Sequence, residues 1–318
     1  MAVLKHDLKL EQVVQKIDPR NRLLRSWPLK GGISAQMTAL EIEDPSGHTC
    51  RMILRQPGQA ALRQNQQAAE IEFQLLQTTR SLGLATPTAY ELDLSGQIFS
   101  TPYLVIEYVE GQPEFTPAHP ADFIHQMAEQ LARIHGIDRA QVDFSFLPRP
   151  AQGFAGNYGE RPARVDRSLD EGRIRDMLEA AWPFPRPNPP TLLHGDYWPG
   201  NILWRDEQLV AVIDWEDARL GDPLADLAIS RLDLLWIFGI EAMNSFTRHY
   251  LSRISIDTGD LPYWDLCAAL RLVRLAGLNL AGWVAFFIPY GRRDISEQTI
   301  REHYRWFINQ AFVTHKAD

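Results

Sequence analysis

Three polar side chains in the second half of the sequence have the types that phosphoryl transfer to an alcohol requires. Asp196, Asn201 and Asp214 lie within the segment TLLHGDYWPGNILWRDEQLVAVIDWE. Such a transfer needs a carboxylate near the attacking hydroxyl and oxygen ligands for a magnesium ion that bridges the phosphates. The three residues supply these groups, so they are the candidate catalytic residues.

The segment around these residues predicts a β-hairpin. The runs NILW and LVAVID flank the polar turn RDEQ, and they should pair so that opposed residue numbers sum to roughly 413. Asn201 and Asp214 then lie near the same end of the hairpin. The loop HGDYWPG leads directly into that end, so Asp196 is expected to face the same point.

The strings HGDYWPGN and VIDWE resemble the catalytic loop and metal-binding segment of the aminoglycoside phosphotransferase and choline kinase superfamily. The resemblance implies that Asp196 orients and deprotonates the acceptor hydroxyl, and that Asn201 and Asp214 bind Mg²⁺. It also implies that His194 braces the loop and that Asp226, in ARLGDPLADLA, accepts hydrogen bonds from it. The implied reaction moves the γ-phosphoryl group of ATP to a hydroxyl of a small molecule.

Two small-lobe motifs of the superfamily are also matched. The segment KGGISAQ resembles its nucleotide-positioning loop, with Gly32 close to the phosphates and Ser34 as a hydroxyl donor; an ordinary hairpin turn is the alternative. The superfamily's next strand carries a Lys that contacts the phosphates and pairs with a Glu of the following helix. This sequence has Arg55 at that place, with Glu72 as first choice of partner and Glu70 as second, and an exposed Arg–Glu pair is the alternative.

The run YLVIEYVEG resembles the linker between the two lobes, where main-chain groups hold the adenine. The resemblance implies contacts from the carbonyl of Glu107 and the amide of Val109. A plain edge strand is the competing interpretation. Main-chain recognition of this kind does not separate ATP from GTP, so both nucleotides stay open.

With 318 residues the chain exceeds the usual single-core size, which predicts two subdomains. The first hundred residues predict strand, turn, strand, helix, strand, with the helix over 60–80, whereas helical patterns dominate from Asp122 onwards. The resemblance implies an α+β, two-lobed protein-kinase-like fold. The small lobe, which contains the antiparallel sheet and binds the nucleotide, would span 1–109. The larger lobe, which is mostly helical and contains the catalytic loop and the substrate site, would span 110–318.

Composition narrows the class of partner. A content of 45% hydrophobic and 23% charged residues is that of an ordinary globular protein. The formal charge of −8 disfavours nucleic acid and favours a cationic small substrate. Cys50 and Cys267 are too few for a disulfide framework. The start lacks the apolar core of a secretory signal and no uncharged apolar run reaches membrane-spanning length, which predicts a cytoplasmic location and no membrane partner.

Several interpretations stay open at this point. An aminoglycoside, choline, ethanolamine, another amino alcohol or a sugar would each suit the motif as acceptor. A catalytically silent nucleotide-binding protein is the alternative of a different class, because Arg55 stands where the superfamily has Lys. A protein kinase is disfavoured by the irregular, Pro- and Gly-rich segment 141–190 and by the lack of an activation loop. Trp198 either packs in the core or lines a substrate pocket.

Overall fold

The chain consists of two compact units. The computed structural model describes residues 2–29, 35–148, 153–276 and 280–314. By contacts, the first unit contains Met1–Glu110 with Ala211–Glu216, and the second contains Gly111–Val210 with Asp217–Asp318. The single boundary drawn from sequence between 109 and 110 left residues 211–216 in the helical part, whereas their contacts assign them to the first unit.

The first unit is built on a five-stranded antiparallel sheet with strand order β1-β2-β3-β5-β4. β2 and β3 pair throughout, so that Met37 lies opposite Arg55. Arg55 is also opposite Leu104 on β5, which places it within the sheet. The strands are β1 (Arg22–Pro28), β2 (Ala35–Glu43), β3 (Thr49–Pro57), β4 (Ala89–Asp93) and β5 (Tyr103–Glu107).

The described residues of this unit form three helices, which differ from the sequence prediction in two ways. Helix α1 (Ala2–Ile17) was missed; it buries Leu10, Val13 and Val14, whose spacing marks one helical face, in a core cluster with strand residues. The single helix predicted over 60–80 is two helices, α2 (Gln59–Gln64) and α3 (Ala68–Ser81). The side chain of Asn65 accepts a hydrogen bond from the main-chain N–H two residues on, a local turn that interrupts the helix.

The second unit is mostly helical, as predicted. The apolar face of α4 expected from Phe123, Met127, Leu131 and Ile134 is buried. In the described residues, α9 ends at Ala276 and α10 begins at Leu280. The helices are α4 (Pro120–His135), α5 (Gly153–Tyr158), α6 (Glu171–Ala181), α7 (Leu224–Phe238), α8 (Ile240–Leu251), α9 (Leu261–Ala276), α10 (Leu280–Phe287) and α11 (Glu297–Thr314).

Two small sheets carry the polar loops. β6 (Thr191–Leu193) pairs with β9 (Arg219–Gly221), and β7 (Ile202–Arg205) pairs with β8 (Gln208–Val212). The predicted hairpin is therefore confirmed. Its two-residue turn, Asp206 and Glu207, has positive φ at both positions, as the tight turns that suit twisted strands require.

An antiparallel sheet in one unit and packed helices in the other confirm the predicted α+β class. None of the helices in the described residues combines the length and the apolar composition needed to span a bilayer.

Candidate active site

Asp196 lies in the loop that follows β6, and two side chains of the second unit hold its carboxylate. Its Oδ1 accepts a hydrogen bond from Nη2 of Arg271 at 2.6 Å, and its Oδ2 accepts one from Nδ2 of Asn201 at 3.1 Å. Nδ2 of Asn201 also donates to the main-chain oxygen of Asp196 at 2.9 Å. Because the amide nitrogen is used in this way, the amide oxygen of Asn201 is the group left to ligate a cation.

The buried carboxylate of Asp226, on the first turn of α7, holds the same loop. Oδ2 accepts from the main-chain N–H of His194 at 2.7 Å, and Oδ1 accepts from that of Gly195 at 2.9 Å. Nε2 of His135 lies 3.3 Å from Oδ2, and Nδ1 of the same ring lies 2.6 Å from the hydroxyl of Tyr250. Burial alone would raise the pKa of Asp226, but the hydrogen bond and charge of His135 lower it below its ordinary value. The loop is therefore fixed by an ionised, fully buried group.

Two positions of the loop accept only glycine. Gly195 has a φ of +85°, and a Cβ there would lie 2.3 Å from the main-chain oxygen of Asp217. A Cβ on Gly200 would lie 2.2 Å from the ring of Trp198. Because Gly200 has no side chain, the short 3₁₀ turn Pro199–Asn201 can lie against that indole. The glycines of HGDYWPGN thus allow a close approach of main chain on both sides of Asp196.

His194 lies inside the loop and is fully buried. Its Nδ1 accepts a hydrogen bond from the main-chain N–H of Asp196 at 3.2 Å. An imidazole that serves the loop's own main chain stiffens the peptide that carries Asp196.

Arg55 is the centre of an ion cluster in the first unit. Its guanidinium is 6% exposed, and Nε donates to Glu72 of α3 at 2.9 Å. Nη2 reaches Asp214 at 3.3 Å and Glu216 at 3.2 Å. Burial by itself lowers the pKa of Arg55, but the charges of Glu72 and Asp214 raise it well above its ordinary value. Arg55 therefore makes, with Glu72 rather than Glu70, the strand-to-helix ion pair that the superfamily makes with Lys.

The segment that carries Asp214 is held in an unusual conformation. Asp214 has a φ of +63°, the left-handed region that Asp and Asn tolerate better than most side chains. The next residue, Trp215, is buried and donates its Nε1–H to the main-chain oxygen of Val212 at 3.0 Å. The turn that presents Asp214 is thus anchored on both sides by packing and by Arg55.

Four further residues were predicted to contact the nucleotide, and two of them lie in the described part of the chain. Gly32 and Ser34 fall outside the described residues. Glu107 is the last residue of β5, opposite Met52, and its side chain accepts hydrogen bonds from Thr88. Val109 comes two residues after the strand ends, where the main chain leaves the sheet.

Sequence reasoning did not assign a role to Arg271 or Glu216, and it considered Asp233 only as one of several acidic residues that could attract amines or lie on a solvated helical face. Arg271 belongs to the apolar run LRLV of α9, and Asp233 belongs to the apolar run RLDLLWIF of α7. A single charge inside an apolar helical run signals a group that needs a buried partner. Glu216 stands two residues after Asp214, within the very string that carried the resemblance.

Trp198 contacts an aromatic cluster rather than lying isolated in the loop. Its ring centroid lies 5.8 Å from that of Trp283, 6.0 Å from Phe286 and 6.1 Å from Phe115. Phe286 is 40% exposed, so one side of this cluster faces solvent. We refer to Phe115, Trp198, Trp283, Phe286 and Tyr290 as the aromatic wall.

The family to which this fold and loop belong is defined by comparison with known proteins. The model of the phosphotransferase enzyme family matches residues 27–265, which is most of the chain. The protein therefore belongs to the phosphotransferase enzyme family, and its fold is the two-lobed, protein-kinase-like one. The superfamily suggested by HGDYWPGN and VIDWE is confirmed.

Curated relatives and solved structures agree with this placement. Acyl-CoA dehydrogenase family member 10 of Mus musculus is 25% identical over 253 residues, covering 74% of this chain but only 23% of its own length. The chain thus spans about a quarter of that relative. A homoserine kinase of Beijerinckia indica is 31% identical over 144 residues, 42% of each protein. The GDP and kanamycin complex of APH(2'')-IIIa has a TM-score of 0.63 at 16% identity, covering 96% of this chain and 99% of that one.

Proposed function

We propose that this protein transfers the γ-phosphoryl group of ATP to a hydroxyl of a small molecule, with Mg²⁺ and with Asp196 as the catalytic carboxylate. The observation that carries the proposal is the fixed Asp196 loop, held by Arg271, Asn201 and Asp226. A solvated loop with accidental acids would not use a fully buried carboxylate to hold its main chain. Membership of a phosphotransferase family supports the same reaction.

The donor groups fit a divalent cation. One guanidinium, Arg55, faces the carboxylates of Glu72, Asp214 and Glu216, so the cluster has two more negative charges than positive ones. Among the residues that the structure describes, no three His, Cys, Asp or Glu side chains form a complete metal cage. Magnesium in kinases binds through one or two protein ligands together with substrate phosphates, so an incomplete protein site is what it needs. We assign Asp214 and Asn201 as these ligands.

When bound, the ion neutralises charge on the phosphates during transfer. The chain's own residues then have separate tasks. Asp196 accepts the proton of the acceptor hydroxyl while that oxygen bonds to the γ-phosphorus and ADP leaves with the electrons of the broken bond. His194 and Asp226 keep the loop in place without touching the substrate.

The proposal assigns the nucleotide to the first unit. Arg55 would contact the phosphates while its pair with Glu72 fixes its direction, and a guanidinium can hold phosphate and carboxylate together. The carbonyl of Glu107 and the amide of Val109 would hold the base, and Gly32 and Ser34 would approach the phosphates. ATP is the proposed donor, with GTP as the alternative; in the solved neighbours, one complex contains GDP and another AMP-PNP.

The acceptor class is broad. The solved neighbours include complexes with kanamycin and hygromycin B, and one curated relative is named as a homoserine kinase. Aminoglycosides, choline, ethanolamine, other amino alcohols and sugars are therefore all acceptors to test. We place the reaction in the cytoplasm, where ATP and magnesium are supplied and where the free thiols of Cys50 and Cys267 stay reduced.

Nucleotide binding and turnover test the proposal separately. ATP with Mg²⁺ should raise the melting temperature, because a ligand of the native state stabilises it by mass action. ADP release should then rise when an acceptor is added and fall when magnesium is chelated. Unchanged melting with ATP and GTP would contradict the proposal. Nucleotide stabilisation without any magnesium-dependent ADP release, with or without acceptors, would favour the silent nucleotide-binding protein.

A further inference from the structure

Arg271 is a cation placed directly at the catalytic carboxylate. It projects from α9, and only Nη2 is used in its 2.6 Å contact with Asp196. In the described part of the chain this is its only ion pair, and its side chain is 30% exposed. A guanidinium has five N–H donors in a planar fork, so most of its hydrogen-bonding capacity faces away from Asp196.

The charges around Arg271 favour its remaining a cation. Burial alone lowers its pKa, but Asp196 and Asp233 raise it above the ordinary value, and Asp217 adds to the effect. Asp233 contributes less negative charge than an exposed carboxylate would, because burial raises its pKa to about 7. Arg271 therefore stays a cation beside Asp196, and its guanidinium can pair with an anionic group of a substrate.

The aromatic wall provides an apolar surface next to the loop that carries Asp196. Trp198 is two residues from Asp196 in the chain, and its ring contacts Phe286 and Trp283 of α10. Phe286 is 40% exposed and Ile288, just after α10, is 49% exposed. An apolar surface that continues from the catalytic loop to solvent is suited to the carbon skeleton of a substrate.

We infer that the acceptor is a hydroxy acid with an apolar remainder, whose carboxylate binds Arg271 while its carbon skeleton packs on the aromatic wall. This inference rests on the proposed phosphotransfer at Asp196 and makes its substrate class specific. Arg271 is then a specificity-determining residue: it binds a carboxylate through the N–H groups that Asp196 does not use. It also reverses the preference for a cationic substrate that the net charge of −8 suggests.

The reaction of such an acceptor balances without a further reactant. The hydroxyl oxygen forms a bond to the γ-phosphorus, and the bond between that phosphorus and the β–γ bridging oxygen breaks. ADP takes the electron pair, and the hydroxyl proton passes to Asp196. The carboxylate held by Arg271 is unchanged, so the product is a phosphorylated hydroxy acid.

A matched panel of acceptors tests the inference on the wild-type protein. Hydroxy acids of increasing chain length are compared with their amides and with amino alcohols of the same length. We expect kcat/KM from ADP release to follow the order acid, amide, amino alcohol, and to rise with chain length. Preference for the amino alcohols, or no stimulation by any compound in protein that binds ATP, would overturn the inference.

Two variants show whether Arg271 sets this preference. Arg271→Gln should lower kcat/KM for the acid by about 10- to 100-fold, the loss expected for a charge-assisted hydrogen bond, with a smaller loss for the amide. Arg271→Lys should restore part of the acid preference. Arg274→Gln, an exposed position one turn along α9, is the matched control and should change neither value.

The ratio of acid to amide activity separates recognition from support of the fold. A loss that is equal for acid and amide would contradict the inference, because it would make Arg271 only a support for Asp196. Melting temperature and ATP binding of each variant show whether it is folded. Failure of ATP binding in the wild type would instead contradict the proposed function itself, so the two failures are distinguishable.

Discussion

Arg55 and Arg271 are both arginines paired with a carboxylate of the candidate site, yet their surroundings differ. Arg55 is buried in the first unit and its N–H groups reach three carboxylates, those of Glu72, Asp214 and Glu216. Arg271, in the second unit, is partly exposed and makes its described ion pair with Asp196 alone. Arg55 is surrounded by protein carboxylates, whereas Arg271 contacts a single one and keeps more of its N–H donors for a ligand.

In the function proposed here, the two arginines would serve the reaction in different ways. A buried arginine among three carboxylates fixes their positions and leaves an excess of negative charge for a cation, and in the proposed reaction it also contacts the phosphates. A partly used arginine at the surface of a site can choose between substrates by charge. Substitutions in the two clusters should therefore change different measured properties of the protein.

The largest effect is expected for Asp196→Asn. The amide keeps the size of the side chain and can still accept from Arg271, but it cannot take the hydroxyl proton. We expect kcat to fall by about 10²- to 10⁴-fold, with ATP binding unchanged. ADP release with the best acceptor measures this, and Asp206→Asn in the hairpin turn is the control. Turnover within a few fold of wild type would show that Asp196 is not the base.

Asp226→Asn tests whether the buried carboxylate of Asp226 holds the loop that carries Asp196. Removing this buried charge from His135 and from the main-chain N–H groups of the loop should lower the free energy of unfolding by about 3 kcal/mol. Because the pKa of Asp226 is lowered in the folded protein, its stabilisation is present above the ordinary pKa of a carboxyl group. It is lost as the pH falls through the lower folded value.

Urea unfolding of Asp226→Asn at neutral and acidic pH measures this difference. The difference in the free energy of unfolding between the wild type and the variant should become smaller in strong acid. The exposed Asp138→Asn is the control and should unfold like the wild type. Equal stability of Asp226→Asn and wild type at neutral pH would show that the loop is held by other contacts.

In the first cluster, Arg55→Met should weaken ATP binding by about 10- to 100-fold, because a charge-assisted contact to phosphate is lost. It should also destabilise the protein, since Glu72 would be left buried without a counter-charge. Arg55→Lys should recover part of both losses. Titration with ATP and Mg²⁺ measures the affinity, and Arg51→Met, a half-buried position on the same strand whose guanidinium pairs with Glu41 and Glu110, is the control. Unchanged affinity in Arg55→Met would remove Arg55 from the nucleotide site.

The smallest effect concerns Asp233, next to Arg271. Burial raises its pKa to about 7, so its ionisation destabilises the folded protein as the pH rises from its ordinary value through about 7. Asp233→Asn removes this titration and can still accept from the indole N–H of Trp236. Between pH 5 and pH 8 we expect the free energy of unfolding of the variant to rise relative to that of the wild type by roughly 1 to 3 kcal/mol. Melting curves at the two pH values measure the gain, and an identical pH dependence would contradict it.

Much of the local structure could be predicted because the signals lie close together in the chain. The hairpin of β7 and β8 followed from two apolar runs around a polar turn, and the core face of α4 followed from helical spacing. Helix α1 was missed because its charged residues obscured the short apolar face Leu10, Val13 and Val14. The break between α2 and α3 coincides with a side-chain hydrogen bond of Asn65, which composition does not show.

The sequence by itself determined the family and the candidate catalytic carboxylate, because HGDYWPGN and VIDWE place the necessary groups a few residues apart. Only the tertiary structure decided which arginine meets which carboxylate. Arg271 and Asp196 are 75 positions apart, and Arg55 and Asp214 are 159 apart. Nothing in a residue's own neighbourhood specifies a partner at that distance; packing of helices and strands brings the charges together, and electrostatics then fixes the pair.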